Sequence, residues 1–211
     1  MNKLGIGILL ITASASCFAQ QWEVGGTGGA AFLPGVNITS PLGSATTGFK
    51  PGITAGAYVG QNLYPHISGE IHYGFLQSNL KLKSGGTEVT FSGLSHVVHY
   101  DLVLHTNKKD SRSQYFVAFG GGMRIFTGTG KEAAYQPLSQ FAYLTKTQEL
   151  KPMASVGAGI KYKLSPRVIL RTEFRDYITP FPQTLIAPAP GAKIGSILHT
   201  FVPMVGIAYE Y

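Results

Sequence analysis

Apolar and polar positions alternate along the chain in segments of roughly ten residues or more, most plainly in the last one. From Phe201 onward the odd positions read Phe201, Pro203, Val205, Ile207, Tyr209 and Tyr211, and the even positions read Val202, Met204, Gly206, Ala208 and Glu210. One face is apolar with aromatic residues at its ends; the other holds small residues and a charge. A period of two is that of a strand, whose successive side chains point to opposite faces. Residues 167–178 repeat the pattern with more contrast: Val168, Leu170, Thr172 and Phe174 alternate with Arg171, Glu173 and Arg175. The same reading predicts strands near 22–33, 51–61, 66–78, 93–105, 114–127, 151–163, 167–178 and 199–211. Connections after the second, fourth and sixth strands are short (62–65, 106–113 and 164–166). Those after the first, third, fifth and seventh are longer and read as loops.

Apolar outer faces and charged inner faces fit strands that meet hydrocarbon on one side. Hydrocarbon offers no hydrogen-bond partners, so such strands must pair along every edge and close on themselves. An even strand number puts both ends on one side, with short turns there and long loops on the other. Barrels inserted from the periplasm follow this plan. The expected fold is all-β, an eight-stranded antiparallel up-and-down transmembrane β-barrel. A secreted barrel of the lipocalin type would need the opposite polarity, with an apolar lumen and a polar outside. Glycines on the strands, such as Gly25, Gly26, Gly28 and Gly29 or Gly120, Gly121 and Gly122, relieve crowding inside a small curved barrel.

The beginning of the chain reads as an address. Lys3 precedes a mostly apolar stretch from Leu4 to Ala15, and Cys17 and Ala19 are small residues placed for cleavage after Ala19. This is the pattern of a secretory signal peptide over 1–19, leaving 20–211 as the barrel domain; a lipoprotein cut before Cys17 lacks its usual leucine, Ser14 standing there. Composition agrees with an exported membrane barrel. Only 13% of the 211 residues are charged, 11% are aromatic, and the one cysteine lies in the leader. Disorder and a disulfide scaffold are both excluded.

By strand parity the lumen receives Glu70, His72, His99, Asp101, Arg124, Lys161, Arg171, Glu173 and Arg175. Four cations face three anions, and the third and seventh strands lie opposite each other, so Glu70 is expected to meet Arg171 or Arg175 across the axis. Eight strands leave an interior that side chains just fill, and buried charges need partners. A salt-bridged plug is the favoured reading; a charged constriction selecting ions is the alternative. Glu70, His72, His99 and Asp101 share one face of adjacent strands and have the chemistry of zinc ligands, but a polar lumen network has the same appearance, and no metal or other cofactor is assigned.

Other signals carry less. His199 lacks the surroundings of a serine hydrolase, since Thr200-Phe201-Val202 follows it and no set of nucleophile, base and acid emerges. Gly26 to Ala31 matches a dinucleotide fingerprint without the helix that motif needs. Gly128-Thr129-Gly130-Lys131 is followed by Glu132 where a phosphate loop has Ser or Thr, and Asn37-Ile38-Thr39 is a chance sequon. The formal charge of +7 is dispersed, which argues against nucleic acid. Lys108, Lys109 and Arg112 sit with Asp110 in a short turn. Lys81, Lys83, Lys131, Lys146 and Lys193 lie in outer loops, placed for lipopolysaccharide or another polyanion, or simply for solubility. The loop 179–198 interleaves Pro180, Pro182, Pro188 and Pro190 with Phe181, Leu185 and Ile186, and reads either as a docking surface or as a lid over the barrel mouth.

With its signal, its eight alternating segments and the closing stretch Val205-Gly206-Ile207-Ala208-Tyr209-Glu210-Tyr211, the chain resembles the small eight-stranded outer-membrane barrels of the OmpA/OmpX type. The run from Arg171 to Tyr177 is similar to the penultimate strand of many of them. The resemblance implies that Val205, Ile207, Tyr209 and Tyr211 form the signal read by the barrel-insertion machinery. It implies outer-membrane lipids and lipopolysaccharide as surroundings, and an unidentified extracellular ligand at the loops. Members without a peptidoglycan-binding domain are the ones this chain resembles. The functional expectation is a non-enzymatic structural or surface-interaction protein. The alternatives are a narrow diffusion channel for small solutes or ions and, behind it, a lipid-modifying enzyme.

Overall fold

The computed structural model describes residues 22–107, 111–133 and 135–211. The expected signal peptide and the turn residues 108–110 lie outside the described residues. In chain order the strands are β1 (Trp22–Ala31), β2 (Val36–Ser40), β3 (Gly43–Phe49), β4 (Gly52–Tyr64), β5 (Ile67–Gln77), β6 (Leu80–Ser84), β7 (Thr87–Phe91), β8 (Gly93–His105), β9 (Ser113–Gly128), β10 (Ala142–Leu144), β11 (Gln148–Lys163), β12 (Val168–Pro180), β13 (Ile186–Pro188), β14 (Lys193–Ile194) and β15 (Ile197–Glu210).

Eight of them form a closed barrel in the order β1-β15-β12-β11-β9-β8-β5-β4. These are the eight expected strands, each within a few residues of its expected bounds, and every pairing is antiparallel. Closure is made by β1, which pairs with β4 on one side and β15 on the other, so no edge is left to face lipid. The seam has one irregularity. Pro203 has no N–H to give, and the β1–β15 ladder pauses after Gly29–Met204 before Phe32 and Phe201 exchange both backbone bonds at 2.8 and 2.9 Å.

Alternation decides what faces where. Along β15, Val205, Ile207 and Tyr209 point outward, while Val202, Met204, Ala208 and Glu210 are buried inside. Outward faces elsewhere carry Val24, Ile71, Val98, Val117, Val156 and Ile160, a surface suited to acyl chains. Trp22, Tyr64, Tyr115, Tyr209 and Tyr211 are exposed near the end that bears the short turns and the C-terminus, as expected of an interfacial aromatic girdle. Glycine makes room inside: a Cβ on Gly25 would lie 2.5 Å from the Tyr58 ring, and one on Gly122 would lie 2.6 Å from the Cβ of His99.

The long connections differ from their reading as loops. β14, β2, β3, β6 and β7 pair into a five-stranded sheet in that order, and β10 pairs with β13. The apolar residues of these strands need cover, and the barrel mouth supplies it. Ile38, Phe49, Leu80 and Leu82 join Leu76, Val97, Phe126, Leu198 and Val202 of the barrel wall in one buried core. Phe181, Leu185 and Ile186 belong to the same core, each no more than 2% exposed. The segment 179–198 is therefore a lid, and its apolar side chains are not a docking surface.

Candidate functional site: the lumen and its cap

Register places the lumen charges on two walls. Across β5 and β8, Glu70 faces Asp101 and His72 faces His99. Across β11 and β12, Lys161 faces Arg171, and two residues further along β12 come Glu173 and then Arg175. One wall is mainly acidic and the other mainly basic, and β5 stands opposite β12 in the strand order.

The walls meet across the axis. Arg171 clamps Glu70 with Nη1 to Oε1 at 2.9 Å and Nη2 to Oε2 at 2.9 Å, and its Nε donates to Glu173 at 2.7 Å. Arg175 donates through Nε to Glu173 at 2.5 Å and through Nη1 to Ser155 at 2.8 Å, and it also pairs with Asp101. Lys161 bridges Glu70 at 3.0 Å and Glu23 at 2.8 Å. Hydrogen bonds between ionised partners of this kind are stronger than those between neutral groups. Ring stacking extends the layer: Tyr58 on His72 at 5.1 Å, and His72 on His99 at 4.8 Å. Arg171 lies 4.5 Å from the ring centres of both Tyr58 and Phe116.

All nine lumen residues expected from parity point inward and are buried. Glu70 meets Arg171 as expected, while Arg175 engages Asp101 and Glu173 instead. Eight of the nine join one connected network. Arg124 stands apart, bonded to the hydroxyls of Thr200 (2.7 Å), Ser95 (3.1 Å) and Ser78 (3.3 Å) and lying 4.3 Å from the ring centre of Phe126. The network also contains Glu23, which the sequence reading left out. It accepts from Tyr58 at 2.5 Å as well as from Lys161. Its signal was present, because Trp22 and Val24 face outward on β1 and Glu23 between them must face in. With Glu23 the nine become ten, four of them cations and four anions, and at the short-turn end the inward Glu210 pairs with Lys163 at 3.2 Å.

His72 and His99 each bond the carboxylate two residues away on their own strand, at 2.9 and 3.0 Å. Those carboxylates are already engaged by Arg171, Lys161 and Arg175, so the four possible metal ligands act as members of the ionic network. No group of three such side chains placed for a metal ion occurs among the described residues.

Above the ionic layer comes Arg124 with its hydroxyls, and above that the apolar core shared with the sheets of the long connections. The lumen is filled in two layers, ionic and then apolar. On the outer wall, His199 bonds Asp176 at 2.7 Å and stacks on Phe201 at 6.1 Å. This is a base with an acid beside it, but among the described residues no hydroxyl is hydrogen-bonded to His199.

The closed eight-stranded wall, apolar outside and filled inside, defines a small up-and-down β-barrel of the transmembrane kind. Comparison with solved structures agrees. OprG from Pseudomonas aeruginosa superimposes with a TM-score of 0.59 at 12% identity over 90% of this chain and 95% of that one. Neisserial surface protein A gives 0.54 at 12% over 90% and 97%. A major outer membrane protein from Thermus thermophilus gives 0.53 at 15% over 91% and 99%. At such identities the likeness is one of fold: this chain has the fold of the small eight-stranded outer-membrane barrels. No family model and no curated protein matches its sequence.

Proposed function

We propose that the protein is a non-enzymatic barrel of the bacterial outer membrane, exported with a cleaved signal, whose lumen is sealed and whose work is done by its extracellular surface. The observation that supports this is the filling of the lumen. Arg171 and Arg175 are fully buried between walls of opposite charge, and the mouth above is occupied by packed apolar side chains. A conducting path needs a continuous wet route, and a paired ionic layer beneath an apolar mouth disfavours one. The outer wall is suited to outer-membrane lipids and lipopolysaccharide, and the alternating end of β15 to recognition by the insertion machinery.

The test is conductance of the refolded protein in a planar bilayer, with folding established by heat-modifiable gel mobility. Inserted protein is expected to be silent. Discrete steps that change on Arg171→Met or Glu173→Gln would overturn the sealed lumen in favour of a narrow channel.

A further inference from the structure

The extracellular sheet has a second polar site, separate from the lumen. Strand pairing fixes which side chains share its upper face. Lys193 lies opposite Thr39, Asn37 opposite Thr46, Thr46 opposite Lys83, and Gly48 opposite Lys81. Alternation sends these away from the barrel, while Ile38, Ala45, Thr47 and Leu82 take the underside and are buried. The upper face is concave. It encloses about 610 Å³ lined by Asn37, Thr39, Ser44, Thr46, Lys81 and Lys83, among others.

On β6 and β7 its charged groups are two lysines and one carboxylate, whose charge both lysines attract. Glu88, the acid opposite Lys83, is held by Lys50 at 2.7 Å. That hydrogen bond keeps the Glu88 carboxyl below the usual carboxylate range. Neither Lys81 nor Lys83 has a carboxylate within salt-bridge distance among the described residues. Their backbone positions are about 7 Å apart on one strand face, too far to converge on a single small anion without drawing both side chains together. Between and beside them stand hydroxyls and an amide, which both donate and accept hydrogen bonds. No aromatic platform for stacked bases lines the concavity, and no apolar pocket for peptide side chains does either.

We propose that this face binds an anionic oligosaccharide carrying sulfate or phosphate groups. Lys81 and Lys83 take the charges, and Asn37, Thr39, Ser44 and Thr46 bond the sugar hydroxyls. The proposal rests on the surface-contact reading above and names its ligand class. The barrel supports it by holding the underside of the sheet rigidly in the shared core, so that little ordering remains to be done on binding.

The test is binding of a fluorescent, highly sulfated oligosaccharide, followed by anisotropy, to the full chain refolded in nanodiscs of uncharged lipid. Saturable binding is expected. The double variant Lys81→Ala/Lys83→Ala should weaken it at least tenfold and Thr46→Val severalfold. Lys131→Ala/Lys146→Ala, which removes two lysines outside this face, should leave it unchanged, and all variants should keep heat-modifiable mobility. Equal losses in the two lysine pairs, or none at Lys81 and Lys83, would overturn the site. So would a wild-type protein that binds neither the sulfated probe nor a phosphorylated core saccharide from lipopolysaccharide. If binding occurs, competition between those two saccharides identifies the source: preference for the sulfated one supports an external surface, and preference for the phosphorylated one supports the cell's own envelope. A conducting wild-type barrel would overturn the sealed lumen and leave this result untouched, so the two failures are distinguishable.

Discussion

Replacing Arg171 and Arg124 by the same residue, methionine, separates two kinds of buried cation. Arg171 is clamped to Glu70 and bonded to Glu173 at 2.7–2.9 Å and rests against two aromatic rings. Its removal leaves four carboxylates with Lys161 and Arg175 as their full cationic partners. Breaking one member of a buried ion pair costs about 3–5 kcal/mol, because the partner's charge stays buried. The ring contacts contribute about 1–2 kcal/mol more. Glu70 keeps Lys161 and Glu173 keeps Arg175, so a total loss of at least about 3 kcal/mol is expected rather than the sum. Arg124 has only neutral hydroxyl partners. Arg124→Met gives up three hydrogen bonds and a ring contact, but it also removes a buried charge without a counter-ion, and Ser78 and Ser95 already bond each other at 3.0 Å. The opposing effects nearly cancel, and a change within about 1 kcal/mol is expected. Urea titration in lipid vesicles, followed by Trp22 fluorescence and by gel mobility, measures both. An Arg124→Met variant that loses as much as Arg171→Met would refute the argument that carboxylate partners decide the cost.

Leu185→Ala deletes a fully buried anchor of the lid and should cost about 2–5 kcal/mol of lid packing. It is expected to show as faster proteolysis within 179–198 while the barrel strands stay resistant; unchanged cleavage would refute the lid. Saccharide binding at the upper face should stay flat between about pH 5 and pH 8, since the carboxyl of Glu88, lowered by Lys50, remains ionised throughout that range. A midpoint near pH 6.5 would point to a histidine that this face does not contain. Tyr211→Ala keeps the backbone bond from Tyr211 N to Trp22 O at 2.9 Å and removes the terminal ring. Insertion-machinery-assisted assembly should slow while spontaneous refolding in detergent is unaffected, and equal slowing in both would assign the ring a structural role instead.

The barrel was legible because its signal is local. Each strand repeats apolar and polar positions against two uniform surroundings, lipid and lumen, so parity alone turned Arg171, Glu173 and Arg175 inward. Glu23 followed the same rule, yet a single acid among glycines draws little notice in a strand without a second charge. The sheet made by the long connections was harder. Leu80 and Leu82 alternate with Lys81 and Lys83, and Gly85-Gly86, both at positive φ, then turn the chain into Thr87–Phe91, which is a hairpin signal. Its strands are only two to seven residues long, however, and what stabilises them is the apolar mouth of the barrel, a surface assembled from residues far away in sequence. The lid has the same origin: Phe181, Leu185 and Ile186 look like exposed apolar residues until the mouth they cover exists. Arg124 could be placed in the lumen but not apart from the ionic network, because its distance from the carboxylates depends on how far each strand is offset from the next around the barrel.

The same offset explains why the plug specifies closure. In the β5–β8 pair alone, Glu70 lies opposite Asp101, and in the β11–β12 pair Lys161 lies opposite Arg171. Like charges directly opposite destabilise an isolated pair of strands, so each piece disfavours itself. Only when β1 joins β4 to β15 do the acidic and basic walls face each other across a space narrow enough for direct contact. Glu23 arrives with β1, the strand that closes the ring, and it takes the second bond of Lys161. A half-formed sheet therefore has buried or crowded charges and no remedy for them, while the closed ring pairs them all at once. The ionic layer thus favours the one arrangement in which every strand is in register.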